Sequence, residues 1–518
     1  MRLTGTLCAL FLLAASVPAA VQAGSLDASP FDDHGQSIGE RDRIPGGAVS
    51  RSTITVPTDH VTIQAAIDAA SPTDTVVVLP GTYTESINIT KALTLTGTPG
   101  NAATTIISGA GATVVTISAD DVTLNGFTIT NPAGKHGVYA ADQSNLTITN
   151  NIVNDIGSSD ASSSGTNFGI AIVCDSVAVD NILIAGNEAS AIVGGLYKSA
   201  NGIALGWSNG ALDITNAVIY ANTIHNVTSA TVDYSIGGRG AYGIIINHGT
   251  GTTGKTVAPM ICNNAVYDLE GHWAHGIGME GYTPNGVVRG NYINNLIDHK
   301  SPSDAVAIQV EDNAGAGSLA VHFNSFTNVN IGVQNTVTGS TVNAEKNWWG
   351  TTNAATIATM ISGTGTVDYS PYLLSQQYRM ASGGNRLDET QNGDGGWGWP
   401  LTGGSALNTV GPIAMGLAKA YRATGDPDLY AALQSAGTLL LTKTNNFSPS
   451  DGYLAAELDA LIGGTTYVDY LNANFYGPLA AGTYNRNGAG TLYDTTSFVN
   501  LIRTNRASQG IPNRSEER

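Results

Sequence analysis

Between residues 61 and 70, Ile63, Ala66, Ile67 and Ala70 recur at helical spacing, which predicts one short amphipathic helix. The period then shortens. Runs rich in Val, Ile and Leu at 75–79, 86–90 and 93–96 are broken by Pro80-Gly81 and Gly97, a rhythm of short strands and turns. Farther along, an apolar residue is followed three later by asparagine: Ile148 with Asn151, Ile184 with Asn187, Ile219 with Asn222, Ile261 with Asn264, Val288 with Asn291 and Val321 with Asn324. A second row sets a glycine before an alternating strand, at Gly137, Gly169, Gly202, Gly243, Gly276 and Gly332, with Ala307 in the same place.

The asparagines are 36, 35, 42, 27 and 33 residues apart, a variable period made of several short strands and no helix. Coiled parallel strands produce such a period. One coil cannot bury its apolar side alone, so successive coils must stack. Alternation sends Ile244 and Ile246, Ile277 and Met279, and Ile308 and Val310 inward, and predicts that the residues between them face solvent. The row asparagines are expected at corners, where left-handed backbone and an amide ladder both suit the turn.

Composition narrows the class. The chain has 518 residues, 63 of them glycine, with only 12% charged and 42% hydrophobic. Glycine without a three-residue period excludes collagen, and the apolar content argues against disorder. A net charge of −18 removes nucleic acid and anionic membranes as default partners, because either needs a basic patch. Residues 1–23 combine Arg2, an apolar run at 7–15 and Val21-Gln22-Ala23, the three parts of a secretory signal peptide too short to span a bilayer. Its removal would leave no integral membrane span and a secreted, cell-surface or periplasmic protein. Cys174 and Cys262 would remain, with no Cys-x-x-Cys spacing, and two buried thiols on separate strands are favoured over a disulfide.

Residues 53–374 resemble the right-handed parallel β-helix proteins of the pectin-lyase-like superfamily. The likeness lies in the helical cap, the segment Pro80-Gly81-Thr82-Tyr83-Thr84-Glu85, the asparagine repeats and Asn347-Trp348-Trp349-Gly350. It implies a mainly β fold, a right-handed parallel β-helix solenoid. The superfamily spans lyases, hydrolases, esterases, epimerases, phage tailspikes and adhesins, so the resemblance implies an extracellular polysaccharide as partner without choosing a reaction. The opening coil looks like that of pectin methylesterases, but that family's downstream catalytic motifs are missing and esterase activity is disfavoured.

Residues 391–397, Gln-Asn-Gly-Asp-Gly-Gly-Trp, are similar to the Gln-Trp repeats of α/α toroids. Helical spacing follows at 410–423 (Ile413, Leu417, Ala420, Tyr421) and at 430–442 (Leu433, Ala436, Leu439, Leu440). A closed toroid needs about a dozen helices, on the order of 250 residues. Residues 388–518 are therefore read as part of a toroid, truncated or completed by a partner, ending in a polar tail from Ser508. The expected organisation is signal peptide 1–23, linker 24–52, β-helix 53–374, linker 375–387 and helical region 388–518, in a monomer.

On a stack of coils, chemistry is read down columns. Four residues after the glycine row stand Val173, Gly206, Asn247, Glu280, Glu311 and Thr336. Glu280 and Glu311 thus fall on neighbouring coils, about 5 Å apart, close enough to raise one apparent pKa and serve as acid and base or nucleophile. That separation suits retaining glycoside hydrolysis. The same acids also suit Ca2+ through oxygen ligands. Asn247, His248, His275, Asp312, Trp207 and Tyr242 lie in or beside these coils as candidate substrate-binding groups, the rings able to stack on sugars. A basic column, Lys198, Arg239 and His272, would serve a lyase by taking the proton next to a uronic carboxylate. It lies at the other strand end, and only eight Lys and Arg occur between 52 and 370, too few to grip a polyanion unless Ca2+ bridges it. The two histidines of His272-Trp273-Ala274-His275 lack a third ligand, so no metal site is assigned. The leading function is recognition and cleavage of a polysaccharide, as glycoside hydrolase or lyase, with Glu280 and Glu311 catalytic. The alternative is a non-catalytic cell-surface or adhesive solenoid, in which the two acids are ordinary solvated positions.

Overall fold

The computed structural model describes residues 52–484, apart from 98–100, 159–165, 196–197, 207–211, 230–238, 248–253, 301, 313–314, 399–402, 445–446, 448 and 482. The expected signal peptide, nearly all of the 24–52 linker, the polar tail, Trp207 and His248 lie outside the described residues. The chain divides into two compact units, meeting at Arg379/Met380. No helix among the described residues is long and apolar enough to cross a membrane.

The first unit is a parallel β-helix. Its strands form three sheets of 13, 10 and 9 strands, and each sheet collects every third strand along most of the chain. Every ladder within them is parallel among the described residues, as in Ile244↔Ile277↔Ile308↔Val333. The parallel crossover gives the coil its right hand. Ile148, Ile184, Ile219, Ile261, Val288 and Val321 form one fully enclosed column, and Ile244, Ile277 and Ile308 another, so each coil covers the apolar side of the next. The helix Ile63–Ala69 closes the first coil, burying Ile63, Ala66 and Ile67. Glu85 accepts hydrogen bonds from the backbone amides of Ile63 and Gln64 at 2.8 and 2.9 Å, satisfying the open start of that helix. Near the other end Trp349 is buried against Phe326, ring centroids 5.1 Å apart.

The two sequence rows have distinct physical causes. Asn151, Asn187, Asn222, Asn264, Asn291, Asn324 and Asn347 are all at most 2% exposed and form one ladder. Oδ1 of Asn222, for example, accepts from the backbone N and the Nδ2 of Asn187 at 2.9 and 3.0 Å, while Asn222 Nδ2 donates to Ile184 O and Asn264 Oδ1. The expected left-handed backbone falls one residue earlier than the sequence reading placed it. Asn150, Gly186, Ala221, Asn263, Gly290, Phe323 and Lys346 have positive φ, and the ladder asparagines do not. The preceding residue makes the corner, which leaves the asparagine free to turn its amide along the stack.

The glycine row answers to crowding. A methyl group on Gly243 would stand 2.3 Å from Val266 Cγ1 and 2.6 Å from Gly276 O, and on Gly276 2.6 Å from Ala307 O. The chain turns there so tightly against the neighbouring sheet that a side chain has no room.

One expectation fails on this sheet. The residues between its inward columns were expected to face solvent, yet Phe168, Ala171, Ala204 and Ile245 form a buried cluster on its outer side, with Tyr139 and Tyr242 packed against them. The outer face is therefore largely covered. Cys174 and Cys262 are both buried and form no disulfide.

The second unit is helical. Residues 375–387, expected as a linker, contain most of a helix, Tyr378–Glu389, followed by helices Val410–Thr424, Pro427–Leu440 and Pro449–Ile462. Gln391 donates to Ala432 O at 2.9 Å and to Gly395 O, and the buried Trp397 donates to Leu387 O, so the Gln-Trp segment ties a turn to two helices. Lys443 and Asp451 form an ion pair, 2.7 Å, with both side chains fully buried.

Candidate functional site

The outer face of the ten-stranded sheet carries the candidate site, and strand register builds it. Asn247 pairs with Glu280, and Glu280 with Glu311, across the neighbouring strands Ala241–Asn247, Ala274–Glu280 and Ala305–Glu311. The two carboxylates thus sit on adjacent strands, with about 4.8 Å between their backbones. Both are half-buried, and Asp312 beside them is exposed.

Each carboxyl has one oxygen held by an amide. Asn247 Nδ2 donates to Glu280 Oε2 at 2.6 Å, and Gln309 Nε2 donates to Glu311 Oε2 at 2.7 Å. Burial, then the charges of Glu311 and Asp312, pushes the Glu280 carboxyl up to about 8. Burial also raises Glu311, against the opposing pull of His275. At neutral pH the Glu280 carboxyl therefore holds its proton, which relieves the repulsion between the two acids.

Toward the start of the same strands, Tyr242 pairs with His275. The Tyr242 ring meets the His275 ring edge-on at 5.1 Å, and Trp273 Nε1 donates to the Tyr242 hydroxyl at 2.9 Å. Burial, with Glu280 next, raises the Tyr242 phenol well above its ordinary value. His275 is 2% exposed, its Nε2 lies 3.6 Å from Asp304 Oδ1, and neither ring nitrogen makes a hydrogen bond. Lys300 Nζ binds the other oxygen of Asp304 at 2.5 Å. Burial acts to raise Asp304, but His275 and Lys300 outweigh it and hold that carboxyl well below its ordinary range.

The structure therefore brings together Glu280, Glu311, Asn247 and Asp312, with Tyr242 and His275 on the same strands. It does not bring the basic column to them. Ala200, Ala241 and Ala274 are in register, so Lys198, Arg239 and His272 lie two residues before the strands begin, and His272 N donates to Arg239 O at 2.9 Å. Arg239 is eight residues from Asn247, on the order of 25 Å of extended chain. Lys198 is 1% exposed. Sequence reasoning missed Gln309 and Asp304. Gln309 could have been found, since it lies two residues before Glu311 and therefore on the same strand face; Asp304 precedes its strand, where no column marks it. Among the described residues no group of three or more His, Cys, Asp or Glu side chains is placed to hold a metal ion.

No family model matches the chain. It is similar to a cell surface glycoprotein of Methanothermus fervidus, 38% identical over 109 residues, which cover 21% of this chain and 18% of that protein. The match thus spans under a fifth of that relative's length. Among solved structures, a pectin methylesterase from Aspergillus niger aligns at 12% identity over 53% of this chain and 88% of its own, with a TM-score of 0.23. ORF18 of Geobacillus virus E2 aligns at 12% identity over 62% of this chain and 59% of its own, with a TM-score of 0.27. The fold stands on the strand registers above and takes nothing from these alignments.

Proposed function

We propose that this β-helix binds an extracellular polysaccharide and cleaves it by retaining glycoside hydrolysis. The observation that carries the reading is the half-buried pair Glu280 and Glu311 on adjacent strands, each with one oxygen fixed by an amide. Glu280, protonated at neutral pH, gives its proton to the leaving glycosidic oxygen, and Glu311 attacks the anomeric carbon. Water then releases the glycosyl group, with Glu280 as base. A spacing of about 5 Å leaves no room for the water of an inverting mechanism. The lyase alternative is weaker, because the basic column lies at the far end of the strands.

The test is a panel of neutral and uronic polysaccharides, read for new reducing ends and new unsaturated ends, with and without Ca2+. Reducing ends alone, abolished in Glu280→Gln and Glu311→Gln, support hydrolysis. Unsaturated ends that need Ca2+ would move the chemistry to a lyase. Silence across the panel from folded protein favours the second reading, a non-catalytic surface solenoid, which the local similarity to a cell surface glycoprotein supports.

A further inference from the structure

Gly278 is a glycine that the fold does not require. The other described glycines within strands of its sheet, Gly137, Gly169, Gly202, Gly206, Gly243, Gly276 and Gly332, would each bring an added methyl group within 2.6 Å of a neighbouring atom. At Gly278 the same group would meet Ile245 Cγ1 at 3.3 Å, a tight contact that a shift of a few tenths of an ångström in that side chain relieves, and Tyr242 Cδ1 at 3.7 Å, and the backbone is not left-handed. Only side chains close in here, no backbone, so this position is less crowded than the other strand glycines of the sheet and its backbone is unstrained. Its place is specific: between His275 and Glu280 on one strand, and between Ile245 and Gln309 across the sheet.

Three polar atoms around it lack hydrogen bonds. They are Nδ1 and Nε2 of His275 and Oε1 of Gln309, in side chains only 2% and 4% exposed. Buried polar atoms left without partners cost stability, and where they cluster beside a missing side chain a ligand accounts for both. Tyr242 and Ile245 supply an apolar wall, and the unpaired atoms supply both acceptors and donors. That combination matches a sugar ring, with apolar C–H faces and hydroxyl edges. The acids Glu311, Asp304 and Asp312 surround it, and the adjacent cation, Lys300, is already held by Asp304.

We infer that Gly278 opens a pocket for one ring of an uncharged sugar beside the acid pair, with His275 and Gln309 binding its hydroxyls. The inference rests on the carbohydrate reading above and names the substrate class: neutral glycans, with uronates excluded by the acids.

Calorimetry on the full chain tests it, using cello-, manno- and galacto-oligosaccharides and oligogalacturonate as probes. The wild type should bind a neutral oligosaccharide. Gly278→Leu should weaken that binding at least 100-fold with an unchanged melting temperature, while His275→Ala and Gln309→Ala weaken it about 10-fold each. If Gly278→Leu fails to fold, Gly278→Ala, whose methyl group asks only a slight shift of the Ile245 side chain, should still weaken binding. Wild-type affinity in a folded Gly278→Leu, or in Gly278→Ala where that variant must stand in for it, overturns the pocket and leaves the carbohydrate reading standing. Preference for oligogalacturonate overturns the neutral class. A wild type that binds no probe overturns both.

Discussion

Two groups of buried polar side chains run along the solenoid, and they differ in how they are satisfied. The seven ladder asparagines are enclosed to at most 2% exposure, and the six from Asn151 to Asn324 each donate to the asparagine of the next coil and accept from the coil before. On the outer face of the ten-stranded sheet, Asn201, His275 and Gln309 are at most 4% exposed, yet both side-chain polar atoms of Asn201, both ring nitrogens of His275 and Oε1 of Gln309 make no hydrogen bond. Burial alone does not separate structure from function. The ladder turns buried polarity into register, whereas the outer face retains unmet polarity next to two carboxylates that repel one another. The first pattern stabilises a fold, and the second is the pattern that the proposed site requires.

The sharpest way to break the comparison is to cut the ladder in its middle. Asn222→Ala strips partners from Asn187 N, Asn187 Nδ2 and Ile184 O, which remain buried. At about 1–3 kcal/mol per stranded group, the loss should be on the order of 4 kcal/mol in urea unfolding, with saccharide binding unaffected in the folded fraction. A loss under about 1 kcal/mol would mean that the ladder follows the fold without holding it.

Gly243→Ala should cost about 2–3 kcal/mol, because its methyl group meets Val266 Cγ1 at 2.3 Å and Gly276 O at 2.6 Å. Thermal melts of this variant beside Gly278→Ala separate glycines that the coil needs from one that it does not.

Glu280 gives a smaller, pH-dependent effect. Its folded pKa of about 8 lies above its ordinary value of 4.5, so its protonated form favours folding. That contribution is fully present below about pH 4.5 and is lost as pH rises through about 8. Glu280→Gln, uncharged at every pH, should therefore be more stable than wild type at pH 9 and no more stable at pH 4. Melting temperatures at both pH values check it, and equal shifts at the two would contradict it.

The smallest effect is expected at Asn201. With no bonds to lose, Asn201→Leu should be neutral or stabilise by up to about 1 kcal/mol. Clear destabilisation would place Asn201 with the satisfied asparagines.

Much of this was legible in the sequence where one residue type answers one physical demand. The ladder needs an amide at every coil and the crowded position within the strand favours glycine, so both rows stand out, and counting from the glycine row was enough to align Glu280 with Glu311. The left-handed corner was harder to read. Asn, Gly, Ala, Phe and Lys all occupy it, so no residue type marks it. Alternation also assigned the outer face to solvent, because period-2 reasoning tells which side a residue points to and not what lies over that side. Ala171, Ala204 and Ile245 were the available signal: apolar residues at outward positions of consecutive coils.

The most direct test is to follow the glutamate carboxyl carbons by NMR through a pH titration of 13C-glutamate-labelled full chain, wild type beside Glu280→Gln. One resonance in the wild type should titrate near pH 8 and be missing from the variant. If every glutamate titrates between about pH 4 and 5, the outer face carries two ordinary solvated acids and the proposed site falls.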